Sequence, residues 1–394
     1  MDELSPEASA SSHAKRSEGV STTADVLRDA KSVVIIWGER IGRESALGAL
    51  LDLAEALELA GTDDSGLLEV PELTNARGLR EAGCLPDAGP GLASPALSVI
   101  STGNAGMVGK GTEEIRAGLE SGELKTLMLF GVDPLRDFPD TAAWDRALTA
   151  ADHVICFSTF ENATTAKADV VFPLETHAEK DGTVTHPDGR LQRVRPSAAR
   201  PGDIRPNWGV LAELSLALGH DTNISSQPSA FAALTAAVPF YAGITDADIG
   251  GRGVRWQERG GPVGPDLSDS GSASDPGSPD TQRDSASADP GALALSTYRD
   301  LWAGPITELN PPLRFLQPQQ RVELSVSDAE RLGLKAGDPV RVSRSESSLS
   351  ARVLVRERMP DGVCLLIEGT AEANANALLN GSPVSVQIEK IAAR

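Results

Sequence analysis

Short uninterrupted apolar runs, each closed by a glycine or a turn and followed by a helical pattern, recur through the first half of the chain. The first is Val33 to Trp37 in KSVVIIWGER, closed by Gly38. A helix follows, with Leu47, Leu50, Leu51, Ala54 and Leu57 on one face and Gly61 just past its end. Further strands are expected at Ala96 to Ile100, Leu127 to Phe130, HVICFST and ADVVFPL, with helices in TEEIRAGLESG, TAAWDRALTAA and Trp208 to Leu218. Apolar runs of this kind imply strands buried on both faces of a mainly parallel sheet with flanking helices, an α/β fold.

The pattern changes near the carboxyl end. RVELSV and NGSPVSVQIEK alternate with period two, and Val384, Val386 and Ile388 share one face. Two more strands flank a Pro360-Asp361-Gly362 turn, and Ser327 with Glu330 has capping-box spacing for one short helix. Short strands with one helix predict a small β-barrel over residues 316–394. Before it, from about Gln257 to Pro290, Ser, Asp, Gly and Pro dominate and large apolar side chains are almost absent. Such a stretch buries too little surface to offset its ordering entropy. The expected organisation is a disordered leader at 1–22, an α/β domain at 23–246, an acidic low-complexity linker with its flanks at 247–315, and the barrel at 316–394.

Composition narrows the function. The 394 residues carry a formal net charge of −20, which excludes nucleic acid as a partner because nothing would neutralise a phosphate backbone. The amino terminus lacks a basic start and an apolar block, so it is no secretory signal, and no run is long enough for a membrane helix. The three cysteines, Cys84, Cys156 and Cys364, are far apart. Without a Cys-x-x-Cys pair, neither an iron–sulfur cluster nor a cysteine zinc site is expected from this chain, and scattered thiols point to a reducing cytoplasm.

Three stretches invite chemistry. STGNAGMVGKGTEE resembles a phosphate loop but fails twice: Gly103 is one residue too far from Gly109, and Gly111 follows Lys110 where a hydroxyl is needed. In LMLFGVDPLRDFPD, Gly131, Asp133 and Pro134 form the loop beyond a strand's carboxyl end, where open α/β sheets bind nucleotides. Asp133 there is either a ribose or guanine acceptor or a turn residue. The third stretch, ADVVFPLETHAEKDGTVTHPDGRLQRVRP, brings His177 and His186 near Glu175, Glu179 and Asp181. The histidine spacing matches neither a helix turn nor a tight hairpin, which argues against a metal. Glu179 and Asp181 as an acid–base pair are weakened by the turn sequences around them. A strand, a loop and a hairpin bearing Arg190, Arg193 and Arg195 favour a large anion or a protein surface.

That third stretch, followed by PGDIRPNWGVLAELSLALG, resembles the molybdopterin-dependent oxidoreductase superfamily. Within it, the chain resembles the large iron–sulfur subunit of the proton-pumping NADH–quinone oxidoreductase, respiratory complex I. VVIIWGERIG, NARGLREAGCLPDAGPG, LMLFGVDPLRDFPD and IGGRGVRWQ have counterparts there, and the barrel matches the molybdopterin-dinucleotide-binding domain, which implies a double-psi barrel behind a partial α/β domain. The resemblance covers residues 23–394 apart from the linker, so the chain corresponds to the carboxyl-terminal portion of that large subunit. It implies a structural or assembly part of the peripheral arm that supports NADH-to-quinone electron transfer, with no catalytic residue, metal or redox centre of its own. Iron–sulfur clusters are expected only in the missing amino-terminal part or a partner. It implies a vestigial molybdopterin-dinucleotide site at most, carried by Gly131, Asp133 and Pro134 and by Lys180, Asp181, Gly182, Thr183, Gly189 and Arg190. The implied partners are other peripheral-arm subunits, and the implied location is the cytoplasmic face of the plasma membrane, held there through the complex. A molybdopterin-dinucleotide-binding oxidoreductase fragment and a free-standing acidic nucleotide-binding α/β protein are the alternatives.

Overall fold

The computed structural model describes residues 18–38, 41, 44–93, 108–259, 291–381 and 384–391. Residues 1–17, the strand expected at Ala96 to Ile100 with the glycine-rich turn after it, and the linker from 260 to 290 lie outside the described residues.

In chain order the elements begin with α1 (Glu18–Asp29), β1 (Val34–Gly38), α2 (Glu44–Ala56), β2 (Gly66–Val70), α3 (Ala76–Glu81) and α4 (Thr112–Glu120). They continue with β3 (Thr126–Phe130), α5 (Pro134–Asp137), α6 (Thr141–Ala150), β4 (His153–Ser158), β5 (Val170–Pro173), β6 (Gly182–Thr185) and β7 (Arg190–Val194). Next come α7 (Asn207–Ala217), α8 (Gln227–Ala237), α9 (Asp246–Ile249), β8 (Val254–Arg255), β9 (Leu293–Arg299) and α10 (Pro305–Leu309). The last are β10 (Arg321–Ser325), α11 (Val326–Arg331), β11 (Pro339–Arg344), β12 (Ser347–Arg356), β13 (Val363–Glu368) and β14 (Val384–Lys390). Residues 18–22, assigned to the leader by sequence, therefore open helix α1.

These elements form two compact units. The first contains α1 to α3, β1, β2, the three-stranded antiparallel sheet β6–β7–β8, and α7 to α9. Strands β1 and β2 run parallel, with Ile36 beside Leu68 and Trp37 beside Glu69. Its core gathers Leu191, Phe231, Val238, Phe240, Tyr241, Ile244 and Ile249.

The second unit joins the parallel sheet β3–β4–β5 to a closed six-stranded barrel of order β10–β12–β11–β14–β9–β13. Leu127, Leu129, Val154 and Cys156 pack under α4 and α6 through Leu119, Ala147 and Leu148. Both helices cover that one face. The opposite face carries the stacked rings of Phe130, Phe157 and Phe172; Phe157 is buried but Phe130 is 43% exposed, so the described residues cover this face only in part. Inside the barrel, Val322, Leu324, Val340, Val342, Val353, Leu366 and Val386 alternate inward. Two of its pairings, β10–β12 and β9–β13, are parallel and the other four antiparallel. This is the α/β fold with a small carboxyl-terminal barrel that the hydrophobic pattern predicts.

Two expectations about the barrel need correction. Its first strand, Leu293–Arg299, falls in the stretch assigned to the linker, so the barrel starts well before residue 316. That strand pairs only with β13 and β14, which arrive far later in the chain, and no local turn announces it. Helix α11 is capped by Ser325, whose Oγ accepts from Asp328 N at 3.0 Å, and not by Ser327 with Glu330.

Candidate functional site

The loop after β3 belongs to the second unit. Gly131 turns the chain with φ +64°, and its amide donates to Phe157 O at 2.8 Å. A side chain there would meet only Leu174 Cδ1, at 3.5 Å, so the left-handed backbone, not crowding, requires glycine. Pro134 then opens the short helix α5, where its fixed φ suits the first turn. Asp133 is half-buried and accepts from the Thr164 hydroxyl. Burial, opposed by that hydrogen bond, pushes its carboxyl above the ordinary range, with Asp137 adding to the rise.

Arg136 ties this loop to the barrel. Its guanidinium makes two hydrogen bonds to the Glu308 carboxylate, at 2.9 and 2.7 Å, and Nε donates to Gly369 O at 2.8 Å. Its own carbonyl accepts from Nδ2 of both Asn374 and Asn376, each at 2.8 Å. One arginine thus satisfies polar groups on three separate segments of the unit.

The second loop, Lys180 to Arg190, lies in the first unit and is the hairpin of β6 and β7. Gly182 and Thr183 sit in β6 opposite Val194 and Arg193. Asp181 accepts from Arg193 at 2.7 Å, and the same guanidinium donates to Asp246. At the turn, Gly189 has φ +85°, and the Gln257 carboxamide covers it so closely that a Cβ would collide with Nε2. Gln257 Nε2 donates to Asp188 O at 3.1 Å. Asp188 in turn faces His186 Nδ1 at 2.9 Å and the Nε atoms of Arg190 and Arg255 at 3.8 Å. Partial burial works against the charged form, but the hydrogen bonds from His186 and Arg190 N outweigh it and hold the Asp188 carboxyl below its usual range. Lys180 is half-buried, with no ion-pair partner among the described residues.

The two groups of expected cofactor residues therefore lie in different units, each built by its own contacts. The remaining sequence candidates are engaged elsewhere: Glu175 is buried against Arg200, and Asp181 is held by Arg193. Among the described residues no three His, Cys, Asp or Glu side chains converge to hold a metal ion. Cys156 and Cys364 are buried in apolar cores, and burial pushes the Cys364 thiol up to about 12, far from a reactive thiolate.

Sequence reasoning missed a cleft of about 460 Å³ in the first unit, beside the carboxyl ends of β1 and β2. Trp37, at the end of β1, and Arg77 and Arg80, one helix turn apart on α3, line it. A tryptophan immediately before the strand-ending Gly38 was the available signal, since strand ends of parallel sheets are where ligands sit.

Residues 8–217, more than half of the chain, match the family Molybdopterin oxidoreductase, and residues 293–391 match the Molydopterin dinucleotide binding domain. The chain belongs to the molybdopterin oxidoreductase family. It is 30% identical over 368 residues to NADPH-Fe(3+) oxidoreductase subunit alpha of Geobacter sulfurreducens, covering 91% of this chain and 42% of that protein. Against F420-dependent formate dehydrogenase 2 subunit alpha of Methanococcus maripaludis the identity is 28%, over 84% of this chain and 53% of that protein. An NADH-quinone oxidoreductase subunit of Rhizobium meliloti is 28% identical over 93% of this chain and 43% of its own length. The chain spans about half the length of these relatives, and the similarity extends well beyond NADH-quinone oxidoreductases. Acetylene hydratase from Pelobacter acetylenicus shares the fold, with a TM-score of 0.52 at 14% identity, over 73% of this chain and 47% of that one.

Proposed function

We propose that this chain is a structural part of a multi-subunit oxidoreductase of the respiratory complex I kind, within its large iron–sulfur subunit. In this reading it supports NADH-to-quinone electron transfer in a peripheral arm and carries no redox centre itself. The observation that carries the reading is that this protein's own carboxylates meet its arginines. Arg136 is taken by Glu308, Arg193 by Asp181 and Asp246, and Arg190 by Asp188. A molybdopterin dinucleotide brings a pyrophosphate, which needs free cationic groups or open backbone amides. Here the guanidiniums are neutralised, Gln257 fills the space over Gly189, and a net charge of −20 repels an anion. Among the described residues Lys180 is the cation of these loops that has no ion-pair partner, and the arginines would have to give up their contacts to hold that group.

The ion pairs do for the fold what a bound anion would otherwise do: they neutralise buried cations and lock loops in place. Among the described residues no helix is long and apolar enough to cross a membrane, in keeping with attachment through partner subunits. A second reading, a subunit that binds the dinucleotide, is favoured by the match of residues 293–391 to the dinucleotide-binding domain. The two readings differ in the molybdenum or tungsten content of the purified protein, and they share the absence of an iron–sulfur cluster from this chain. Purified alone, it is expected to be colourless and unable to reduce ferricyanide with NADH. Either a visible absorbance band from bound iron or NADH oxidation by the isolated chain would overturn the structural reading.

A further inference from the structure

Between β9 and β10, the stretch of residues 301–316 leaves large apolar side chains in water. Leu301, Trp302, Ile306, Leu309 and Phe315 are all exposed, Leu301 by 85% and Phe315 by 81%. Aromatic residues make up only 4% of this chain, so a tryptophan and a phenylalanine exposed on one short stretch call for an explanation. Together the five side chains present apolar surface on the order of several hundred Å², the scale at which an exposed patch marks an interaction site.

The stretch is fastened from within. Thr307 and Glu308 form the buried side of α10, and two hydrogen bonds from Arg136 hold Glu308 there. Ile306 and Leu309, one helix turn apart, occupy the outer side of the same helix. Beyond α10, Leu313 N donates to Asn310 O and Leu316 N to Leu313 O, each at 2.9 Å, and Arg314 Nε donates to Glu308 O at 3.2 Å. Pro305, Pro311 and Pro312 each fix a further backbone angle. A partner meeting this surface therefore finds it already ordered, which avoids the entropy loss of arranging a loop on contact.

Its charge is equally specific. Glu308 is taken by Arg136, and Asp300, just before the stretch, is taken by Arg321 at 3.0 Å. Arg314 is exposed, and among the described residues no carboxylate lies within ion-pair distance of it. An open guanidinium on the same stretch as an exposed tryptophan and phenylalanine is the residue set enriched at the energetic centre of protein–protein interfaces.

We propose that residues 301–316 are the docking surface for another polypeptide of the same oxidoreductase, one that covers these apolar side chains with its own and sets a carboxylate against Arg314. The inference rests on the reading of this chain as one part of a multi-subunit enzyme, and it adds the surface and the chemistry of the contact. A second copy of this chain is a poorer occupant, because each copy brings a net charge of −20. The same charge repels the anionic surface of a membrane.

Site-specific photo-crosslinking of the full chain in the cells that make it tests this, with p-benzoyl-phenylalanine in place of Phe315 and, as a control, in place of the exposed Glu389 on β14. Position 315 is expected to cross-link to one other polypeptide, at a peptide bearing apolar residues and an aspartate or glutamate, while position 389 does not reach it. Leu301→Lys combined with Phe315→Lys is expected to lower recovery of that polypeptide with the chain at least about tenfold. Arg314→Glu is expected to lower it about fivefold, with Arg314→Lys near wild type and recovery restored by changing the partner's carboxylate to lysine. Urea unfolding of the variants checks that they fold, and if one does not, the cross-link from position 315 still decides. Cross-links from position 315 only to another copy, to this chain's own peptides or to lipid overturn the proposal. So do an assembly left intact by the double lysine variant and an Arg314→Glu variant that assembles normally. An assembly held through other surfaces leaves the structural reading of the chain standing, whereas a chain recovered from its own cells with no other polypeptide overturns both.

Discussion

Replacing Arg136 with alanine is expected to cost the protein about 3–5 kcal/mol of stability, because it leaves a buried carboxylate without its partner. The Arg136 side chain is 13% exposed and that of Glu308 8%, so water does little to screen or replace the pair. The loss extends beyond the ion pair, since Nε also satisfies Gly369 O between β13 and the Asn374 turn. Removing both charges with Arg136→Leu and Glu308→Leu together is expected to cost less than either change alone, since no buried charge is then orphaned. Urea unfolding of the single and double variants measures this. A single-variant loss below about 1 kcal/mol would mean that the pair behaves as an ordinary surface salt bridge.

The second large effect lies at the barrel helix. Asp328 is buried, accepts from Gly362 N at 2.7 Å and Ser325 Oγ at 3.0 Å, and pairs with Arg331 at 2.7 Å. Asp328→Ala strips partners from buried donors and is expected to cost about 2–4 kcal/mol at pH 7. Burial alone would raise the Asp328 carboxyl, but Arg331, Gly362 N and Ser325 outweigh it and hold it below the ordinary carboxylate range. Because the folded-state pKa is the lower one, its stabilisation is complete above the unfolded value of about 4 and lost as pH falls through the folded value. The gap between wild type and Asp328→Ala should therefore be widest near neutral pH and narrow below about pH 4. Glu323 is depressed in the same sense, since Arg356 and Tyr298 overcome its burial, so the variant keeps part of the acid sensitivity. Unfolding curves at several pH values read this directly. A gap independent of pH would show that the Asp328 charge contributes nothing.

Local chemistry made much of this fold legible. The runs ending in Trp37, Phe130 and Ser158 are strands because each is a short apolar stretch closed by a turn, and that pattern lives within ten residues or so. Strand β14 was equally clear, since Val384, Val386 and Ile388 alternate toward the barrel interior. What stayed hidden depends on residues far apart in sequence. Strand β9 joins the barrel only through β13 and β14, and the acidic composition just before it masked its alternation.

The candidate site divides in the same way. Gly131 and Gly189 were readable as turn glycines, and both have positive φ. The charge state of the loops was not readable. Arg136 meets Glu308 across 172 positions and Arg193 meets Asp246 across 53, so no local pattern marked those arginines as already neutralised. The cleft was invisible for a similar reason, being assembled from a strand end, one helix face, a hairpin turn and Trp256. The resemblance carried the family, and the branch it named is one of several among the relatives. Formate dehydrogenase and NADPH-Fe(3+) oxidoreductase alpha subunits share as much identity with this chain as the NADH-quinone oxidoreductase subunit does.

The central claim is that ion pairs within this protein occupy the roles a charged cofactor would need. Elemental analysis for molybdenum and tungsten, on the full chain purified from cells that make the molybdopterin dinucleotide, tests it most directly. The account predicts neither metal above background. One molybdenum or tungsten atom per chain, lost on substituting Gly131 or Gly189, would contradict it.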